Sequence, residues 1–277
     1  MPAFCFFSFY KASAFLVMSH PLGDVRRNIP PTKRQEKMKK KAMKLILLLL
    51  LMQQGAFAQE PYLTLDQMPD LIKCLPAPPA FDSPEFANDM SRFAWGKHQR
   101  LDPERARMAV GDAVWNLDTL FHQFAVPFGI EVSEKETPEI YKLLVSSLKT
   151  TDPMRKRPKA YYHRLRPFEY FGDKMLSDED DNLRGEGSYP SGHTMRGWTC
   201  ALLMAEIAPQ RADTIFRRAW IYCENRVIVG AHWQSDVDVS RVAAGICYGA
   251  LQGSSDFRKQ MAKAQKEYAK LTRRDEK

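Results

Sequence analysis

Three short stretches hold the residues best suited to chemistry, and the first is Gly187–Thr194, which reads GSYPSGHT. Ser191 is a good helix N-cap, and a long apolar pattern follows it. Unpaired backbone N–H groups and the positive end of the helix dipole gather at such a terminus, which therefore favours an anion. His193 lies just inside this predicted terminus, where its ring could contact the anion.

The other two stretches add cations, a second histidine and a carboxylate at regular spacing. Lys159 and Arg166 are seven residues apart, so on a helix both would point to the same side. Arg226 precedes His232 by six residues, and Asp236 follows that histidine by four. On a helix, the histidine and the aspartate would share one face.

Together these residues supply what cleavage of a phosphate monoester requires. A neutral imidazole at His232 can attack phosphorus and form a phosphohistidine. Asp236 can accept the other ring N–H, which fixes the tautomer and stabilises the developing cation. His193 is the candidate general acid, which would protonate the leaving oxygen and then activate water. Taken alone, the pair of His232 and Asp236 would more simply be a polar pair on a helix surface.

Five more residues are candidates for holding the phosphoryl oxygens. The planar guanidinium fork binds two oxygens at once, which suits Arg166 and Arg226, and Lys159 adds a third cation. Ser191 can add a hydroxyl, and the backbone N–H of Gly192 lies where a missing side chain lets a ligand approach. We find no cluster of residues with metal-ligand spacing, so the sequence predicts no metal or other cofactor.

In order, the three stretches match the pattern Lys-x6-Arg-Pro, Pro-Ser-Gly-His and Arg-x5-His-x3-Asp. With this pattern the chain resembles the type 2 phosphatidic acid phosphatase superfamily over residues 62–253. Within it, GSYPSGHT resembles the fingerprint of the bacterial class A non-specific acid phosphatases. The resemblance implies a single-domain fold like that of the vanadium haloperoxidases, the same residue roles and no metal cofactor. It also implies an acid phosphatase whose ligands are small phosphomonoesters and inorganic phosphate.

The net charge of +8 belongs to the N-terminal leader and not to the rest of the chain. Residues 1–58 hold ten of the 41 basic and two of the 33 acidic residues, so residues 59–277 hold 31 of each. Because that larger part is neutral overall, we exclude nucleic acid as a partner.

Residues 38–58 have the parts of a secretory signal peptide, with lysines, an apolar run over 45–52 and a small-x-small site ending at Ala58. We therefore expect cleavage near Ala58 and a periplasmic product. The apolar run is too short to span a bilayer, so no stable membrane insertion is expected. Residues 1–37 are interpreted as an over-extended reading frame, with an apolar anchor over 4–18 as the weaker alternative.

Apolar periodicity predicts an all-α helical bundle without strands. We divide the mature chain into a proline-rich arm over 59–83, a helical phosphatase domain over 84–254 and a charged C-terminal tail over 255–277. The tail is either a surface helix or a frayed end. The predicted helices of the domain are 84–100, 103–124, 138–148, 159–166, 193–208, 211–228 and 232–252, with loops over 150–158 and 172–187.

Two features of the mature chain remain open at this level. Cys74, Cys200, Cys223 and Cys247 could pair in an exported protein, with three connectivities, or Cys200 and Cys223 could be buried thiols. The proline-rich arm could lie across its own domain or across a partner subunit, so a homo-oligomer is one interpretation.

Three other functions fit part of the pattern. A vanadate-dependent haloperoxidase would hold vanadate in the phosphate site, although GSYPSGHT favours a phosphatase. A lipid or sugar-phosphate phosphatase of the same superfamily is another alternative, but a membrane lipid phosphatase needs several spans of about twenty apolar residues, which the mature chain lacks. An exported phosphate-binding protein would not need two histidines and an orienting aspartate.

Overall fold

The computed structural model describes residues 59–275 and, before them, Met38 alone, so the predicted leader and its cleavage site lie outside the described residues. The α-helices of residues 59–275 are, in chain order, α1 (Leu71–Cys74), α2 (Pro84–Gln99), α3 (Pro103–Gly111), α4 (Leu117–Phe128), α5 (Pro138–Thr151), α6 (Lys156–Tyr162), α7 (Pro167–Phe171), α8 (Asp180–Leu183), α9 (Gly192–Ile207), α10 (Ala212–Ile228), α11 (Gln234–Gln252) and α12 (Ser255–Asp275). No strand occurs in this range, which confirms the predicted all-α fold.

Helix α9 is the centre of the bundle and packs against both α10 and α11. It begins as predicted, because the Ser191 hydroxyl caps it by accepting a hydrogen bond from the Thr194 N–H at 3.3 Å. Its interior is nearly all apolar and buried among α4, α5, α10 and α12. Each fully buried leucine-sized side chain contributes about 1.5–3 kcal/mol, so this packing fixes where the N-terminus of α9 points.

The predicted helix over 103–124 is instead two helices, α3 and α4, separated by residues 112–116. Asn116 caps α4 by accepting from the Thr119 N–H at 3.0 Å. Asp112 is buried and accepts from Arg218 at 2.6 Å and from Asn225 at 2.6 Å, which holds the chain out of a continuous helix. The prediction was wrong because the apolar period continues across the break.

The predicted helix over 159–166 is also wrong. Helix α6 ends at Tyr162, and His163 adopts a left-handed conformation with φ of 45°. Arg166 is extended, with ψ of 156°, and immediately precedes α7. The segment 150–158, predicted as a loop, contains the end of α5, a 3-10 turn over Asp152–Arg155 and the start of α6.

His232 lies before the last core helix and not on it, because α11 begins at Gln234. The predicted break at Gly230 is present, with φ of 84°. Asp236 is the third residue of α11, and its Oδ2 accepts from the Trp233 N–H at 2.9 Å. The two predicted partners therefore meet across a helix start and not along a helix face.

The proline-rich arm lies on its own domain. The Tyr62 N–H donates to Thr150 Oγ1 at 2.8 Å, and the Tyr189 hydroxyl donates to the carbonyl of Pro76 at 2.5 Å. Leu71 and Leu75 are buried in the same apolar cluster as Tyr189. The arm thus covers the outer side of the GSYPSGHT stretch.

The charged C-terminal segment is a helix whose apolar side belongs to the main core. Phe257, Met261, Ala264 and Tyr268 of α12 are buried, mostly against α5. All four cysteines of the described range are free thiols, with Cys74 exposed and the other three buried. None of the described helices combines the length and the apolar character needed to cross a bilayer.

Candidate active site

A cavity of about 320 Å³ brings the three sequence stretches together. Six of the eight predicted site residues line it, namely Lys159, Arg166, Gly192, His193, Arg226 and His232. The other two, Ser191 and Asp236, are fully buried beside them. The cavity is therefore rich in cations and contains both imidazoles.

The ring of His232 is held between an arginine and a hydroxyl. Its Nε2 lies 3.2 Å from Arg166 Nη1, and its Nδ1 lies 3.3 Å from Ser188 Oγ. Because a guanidinium only donates hydrogen bonds, Nε2 must carry the lone pair and Nδ1 the hydrogen. The nitrogen directed at the cationic side of the cavity is thus the one able to act as a nucleophile.

Asp236 supports that ring mainly through Ser188. Its Oδ2 lies 3.6 Å from His232 Nδ1, beyond ordinary hydrogen-bond length, but accepts from the Ser188 hydroxyl at 2.5 Å. The serine oxygen can in turn accept from His232 Nδ1. The sequence predicted a direct contact between the histidine and the aspartate and gave Ser188 no role.

Arg164 is the second residue that the sequence analysis missed. It is buried and donates to Asp236 Oδ1 at 2.5 Å and to Asp89 Oδ2 at 2.7 Å. The two carboxylates are fully buried, so this arginine keeps each of them next to an opposite charge. Asp89 lies on α2 far away in sequence, where no pattern marks it.

His193 is oriented by the break between α3 and α4. Its Nε2 lies 2.9 Å from the carbonyl oxygen of Ala113, which can only accept. Nε2 therefore carries hydrogen, and Nδ1 is the nitrogen available for proton exchange with a ligand. The indole of Trp115, from the same break, meets the imidazole edge to face at 4.6 Å between ring centroids.

The cations converge although Lys159 and Arg166 share no helix. The Lys159 ammonium and Arg166 Nη2 both donate to the carbonyl of Gly187, and Arg166 Nε donates to the carbonyl of Glu186 at 3.0 Å. A Cβ at position 187 would collide with the backbone oxygen of Lys159, so only glycine fits this close approach.

Arg226 is the cation with the most donors to spare. It is fully buried, and its Nη2 donates to Glu179 at 3.1 Å. Its Nε and Nη1 are buried without a hydrogen-bond partner among the described residues. An unsatisfied buried donor costs about 1–3 kcal/mol, so these two nitrogens, which carry three N–H groups, favour an oxyanion in the cavity.

The space at Gly192 is occupied by side chains. A Cβ there would lie 2.7 Å from Arg155 Cδ and 3.4 Å from Trp115 Cη2. The glycine thus admits these two residues to the cavity wall, where the sequence analysis expected room for a ligand. The Ser191 hydroxyl caps α9, and the Ser191 backbone N–H donates to Ser240 Oγ at 2.7 Å. A contact between Ser191 and phosphate therefore stays a prediction.

The electrostatics of the cavity favour neutral imidazoles and a bound anion. Burial, followed by the charges of Arg166 and Lys159, holds the pKa of His232 well below its ordinary value. Burial and the charge of Arg226 do the same to the pKa of His193. Burial and the charge of Arg226 lower the pKa of Arg166 to about 10. An anion that enters the cavity would offset the repulsion between its positive charges and raise these pKa values.

No group of His, Cys and carboxylate side chains within the described range could hold a metal ion.

Comparison with known proteins identifies the family of this chain. Residues 143–256 match the family model of the PAP2 superfamily, a segment that contains all eight predicted site residues. The chain is 39% identical to a non-specific acid phosphatase of Providencia stuartii over 212 residues, which make up 76% of this chain and 85% of that protein. The chain belongs to the non-specific acid phosphatases of the PAP2 superfamily.

Two further acid phosphatases are similar to this chain at slightly lower identity. The non-specific acid phosphatase of Salmonella typhi is 37% identical over 195 residues, or 70% of this chain and 78% of that protein. The acid phosphatase of Zymomonas mobilis is 34% identical over 212 residues, or 76% of this chain and 80% of that protein. Family membership confirms the resemblance inferred from the three sequence stretches.

Proposed function

We propose that this phosphomonoesterase hydrolyses a broad range of small phosphate esters through a covalent phosphohistidine at His232. The observation that carries the proposal is one cavity lined by His232, His193 and Arg226, whose Nε and Nη1 have no hydrogen-bond partner among the described residues. A nucleophile, a proton donor and an oxyanion site are the three elements that in-line phosphoryl transfer requires.

In the first step, the phosphoryl oxygens accept hydrogen bonds from Arg226, Arg166 and Lys159. His232 Nε2 attacks phosphorus, the bond to the ester oxygen breaks, and His193 Nδ1 gives its proton to that oxygen. The positive charge that develops on the attacking ring is stabilised through Ser188 by Asp236. The substrate's negative charge raises the pKa of His193, which lets this residue carry the proton.

In the second step, the now neutral His193 takes a proton from water as the water oxygen attacks phosphorus. The bond between phosphorus and His232 Nε2 breaks, inorganic phosphate leaves, and both histidines return to their starting protonation states. The proposed reaction needs no metal. We also propose that the predicted signal peptide directs export of the enzyme to the periplasm. Full activity in excess chelator and an N-terminus near Gln59 in the exported product are the expected results.

The experiment that tests the mechanism uses p-nitrophenyl phosphate with His232→Ala and His193→Ala. The first variant should lose turnover and form no phosphoenzyme. The second should accumulate an acid-labile phosphoenzyme with this substrate, because p-nitrophenolate leaves without a proton while the intermediate lacks its base. Circular dichroism would verify that each variant is folded. Near-normal turnover by His232→Ala, or halide oxidation on addition of vanadate in place of phosphate release, would contradict the proposal.

A further inference from the structure

We infer that Trp115 is a stacking platform for the leaving group, so that the enzyme prefers phosphate esters whose leaving group carries a planar aromatic ring. The inference rests on the proposed function, because it assigns the side of the cavity from which the leaving group departs. It adds a substrate class and a specificity-determining residue to that function.

The position of the indole follows from the role of His193. This histidine gives its proton to the ester oxygen, so the leaving group must lie on the same side of phosphorus as the imidazole. The Trp115 ring centroid is 4.6 Å from that of the imidazole, and the indole lines the same cavity. A ring attached to the ester oxygen therefore meets the indole as soon as phosphate is seated.

The indole is exposed where a purely structural tryptophan would be buried. Trp115 has 43% of its surface exposed, although it lies beside the buried His193. The protein itself covers only part of this large apolar side chain, which lines a polar cavity. An apolar surface left exposed at a cavity is typical of a ligand-binding site. A planar ligand group would cover it.

The platform is held rigidly from the protein side. The Arg196 guanidinium lies 3.1 Å from the indole centroid and is fixed by two hydrogen bonds to Asp152, at 3.0 and 2.9 Å. Arg155 pairs with the same aspartate at 2.6 Å and lies 5.0 Å from the indole centroid. Because its orientation is set before binding, stacking on this ring costs little conformational entropy.

The test compares benzyl phosphate with cyclohexylmethyl phosphate, two alkyl esters of similar size of which only the first has a planar ring. Trp115→Ala should lower the ratio of kcat/KM for benzyl phosphate to kcat/KM for cyclohexylmethyl phosphate by about three- to tenfold, the range expected for one aromatic contact. Trp115→Phe should restore most of the preference. Adenosine monophosphate, whose ring lies one sugar away from the ester oxygen, shows whether a nucleobase reaches the platform as well.

Trp220 is a matched control, because it is 47% exposed and has the Arg241 guanidinium 3.9 Å from its ring, but it does not line the cavity. Trp220→Ala should leave the ratio of the two ester activities unchanged. Benzylphosphonate and methylphosphonate, as competitive inhibitors, read out the platform without turnover, and only the first should bind more weakly to Trp115→Ala. An equal loss for all esters, or no loss for benzyl phosphate, overturns the platform. Failure of the wild-type protein to hydrolyse any ester would instead overturn the proposed function.

Discussion

Replacing Glu179 by glutamine should make the enzyme bind inorganic phosphate more tightly. Glu179 belongs to the acidic segment before the GSYPSGHT stretch, and its side chain lines the cavity. Its Oε2 accepts from Arg226 Nη2 at 3.1 Å, and the other two nitrogens of that guanidinium have no hydrogen-bond partner among the described residues. A phosphate that binds Arg226 must compete with this carboxylate or sit beside its negative charge.

The size of the effect follows from the exposure of the pair. The Arg226 side chain is fully buried and that of Glu179 is 20% exposed, so the interaction exceeds that of a surface ion pair, which is worth about 0–1 kcal/mol. A glutamine keeps a neutral acceptor of roughly half the strength. We therefore expect a gain of about 1 kcal/mol for the bound anion, which corresponds to an approximately fivefold lower inhibition constant for phosphate.

The assay is competitive inhibition of p-nitrophenyl phosphate hydrolysis by inorganic phosphate, at fixed pH and ionic strength. Asp178→Asn is the matched control, because it removes one charge from the adjacent, exposed position without a contact to Arg226. Glu186→Gln should give a smaller gain, since its carboxylate lies 3.9 Å from Arg166 and is 61% exposed. An inhibition constant that rises in Glu179→Gln would mean that this carboxylate assists binding, and the reasoning would be refuted.

Three further predictions concern the groups behind the cavity. Ser188→Ala removes the hydroxyl between His232 and Asp236 and should lower kcat about tenfold, the worth of one buried hydrogen bond, with phosphate affinity unchanged in inhibition assays. Arg164→Gln leaves Asp89 and Asp236 buried without their cation and should cost about 3–5 kcal/mol in urea unfolding, whereas a loss below 1 kcal/mol would contradict the buried network. Because both site histidines have a folded pKa well below the ordinary 6.5, the unfolded chain binds more protons below that pH. The free energy of unfolding should therefore fall as pH drops from 6.5, by up to about 1.4 kcal/mol per pH unit for each histidine, and His232→Ala should halve the slope.

The cations and histidines of the site could be found from sequence because short motifs mark them, but the way in which the chain joins them could not. Lys159 and Arg166 were assigned to one helix face, whereas a turn at His163 separates them. Pro167 already disfavours a helical conformation at Arg166. In an extended chain, alternate residues point to the same side, and Arg164 and Arg166 are indeed buried while Leu165 is 47% exposed. That alternation is the signal that would have identified Arg164.

The contact between His232 and Asp236 illustrates a second limit of periodicity. Spacing of four residues suggested a helix face, but Gly230 ends the preceding helix and α11 begins only at Gln234. Asp236 comes near the histidine because its carboxylate turns back to cap the Trp233 N–H. The four-residue spacing thus brings His232 and Asp236 close together at a helix start and not along a helix face. The Ser188 hydroxyl bridges the remaining distance between the two side chains.

The segment 112–116 between α3 and α4 contacts both His193 and the helix end that carries Arg226, and no sequence motif marks this segment. Its Ala113 carbonyl fixes the ring of His193, and its Trp115 forms the wall beside that ring. The break is anchored by Asp112, which accepts from Asn225, the residue directly before Arg226. One buried carboxylate therefore connects the segment that orients His193, the proposed proton donor, with the helix end that carries Arg226, a proposed phosphate ligand. Asp112 does not line the cavity, so only the folded arrangement reveals that both of these segments are attached to it.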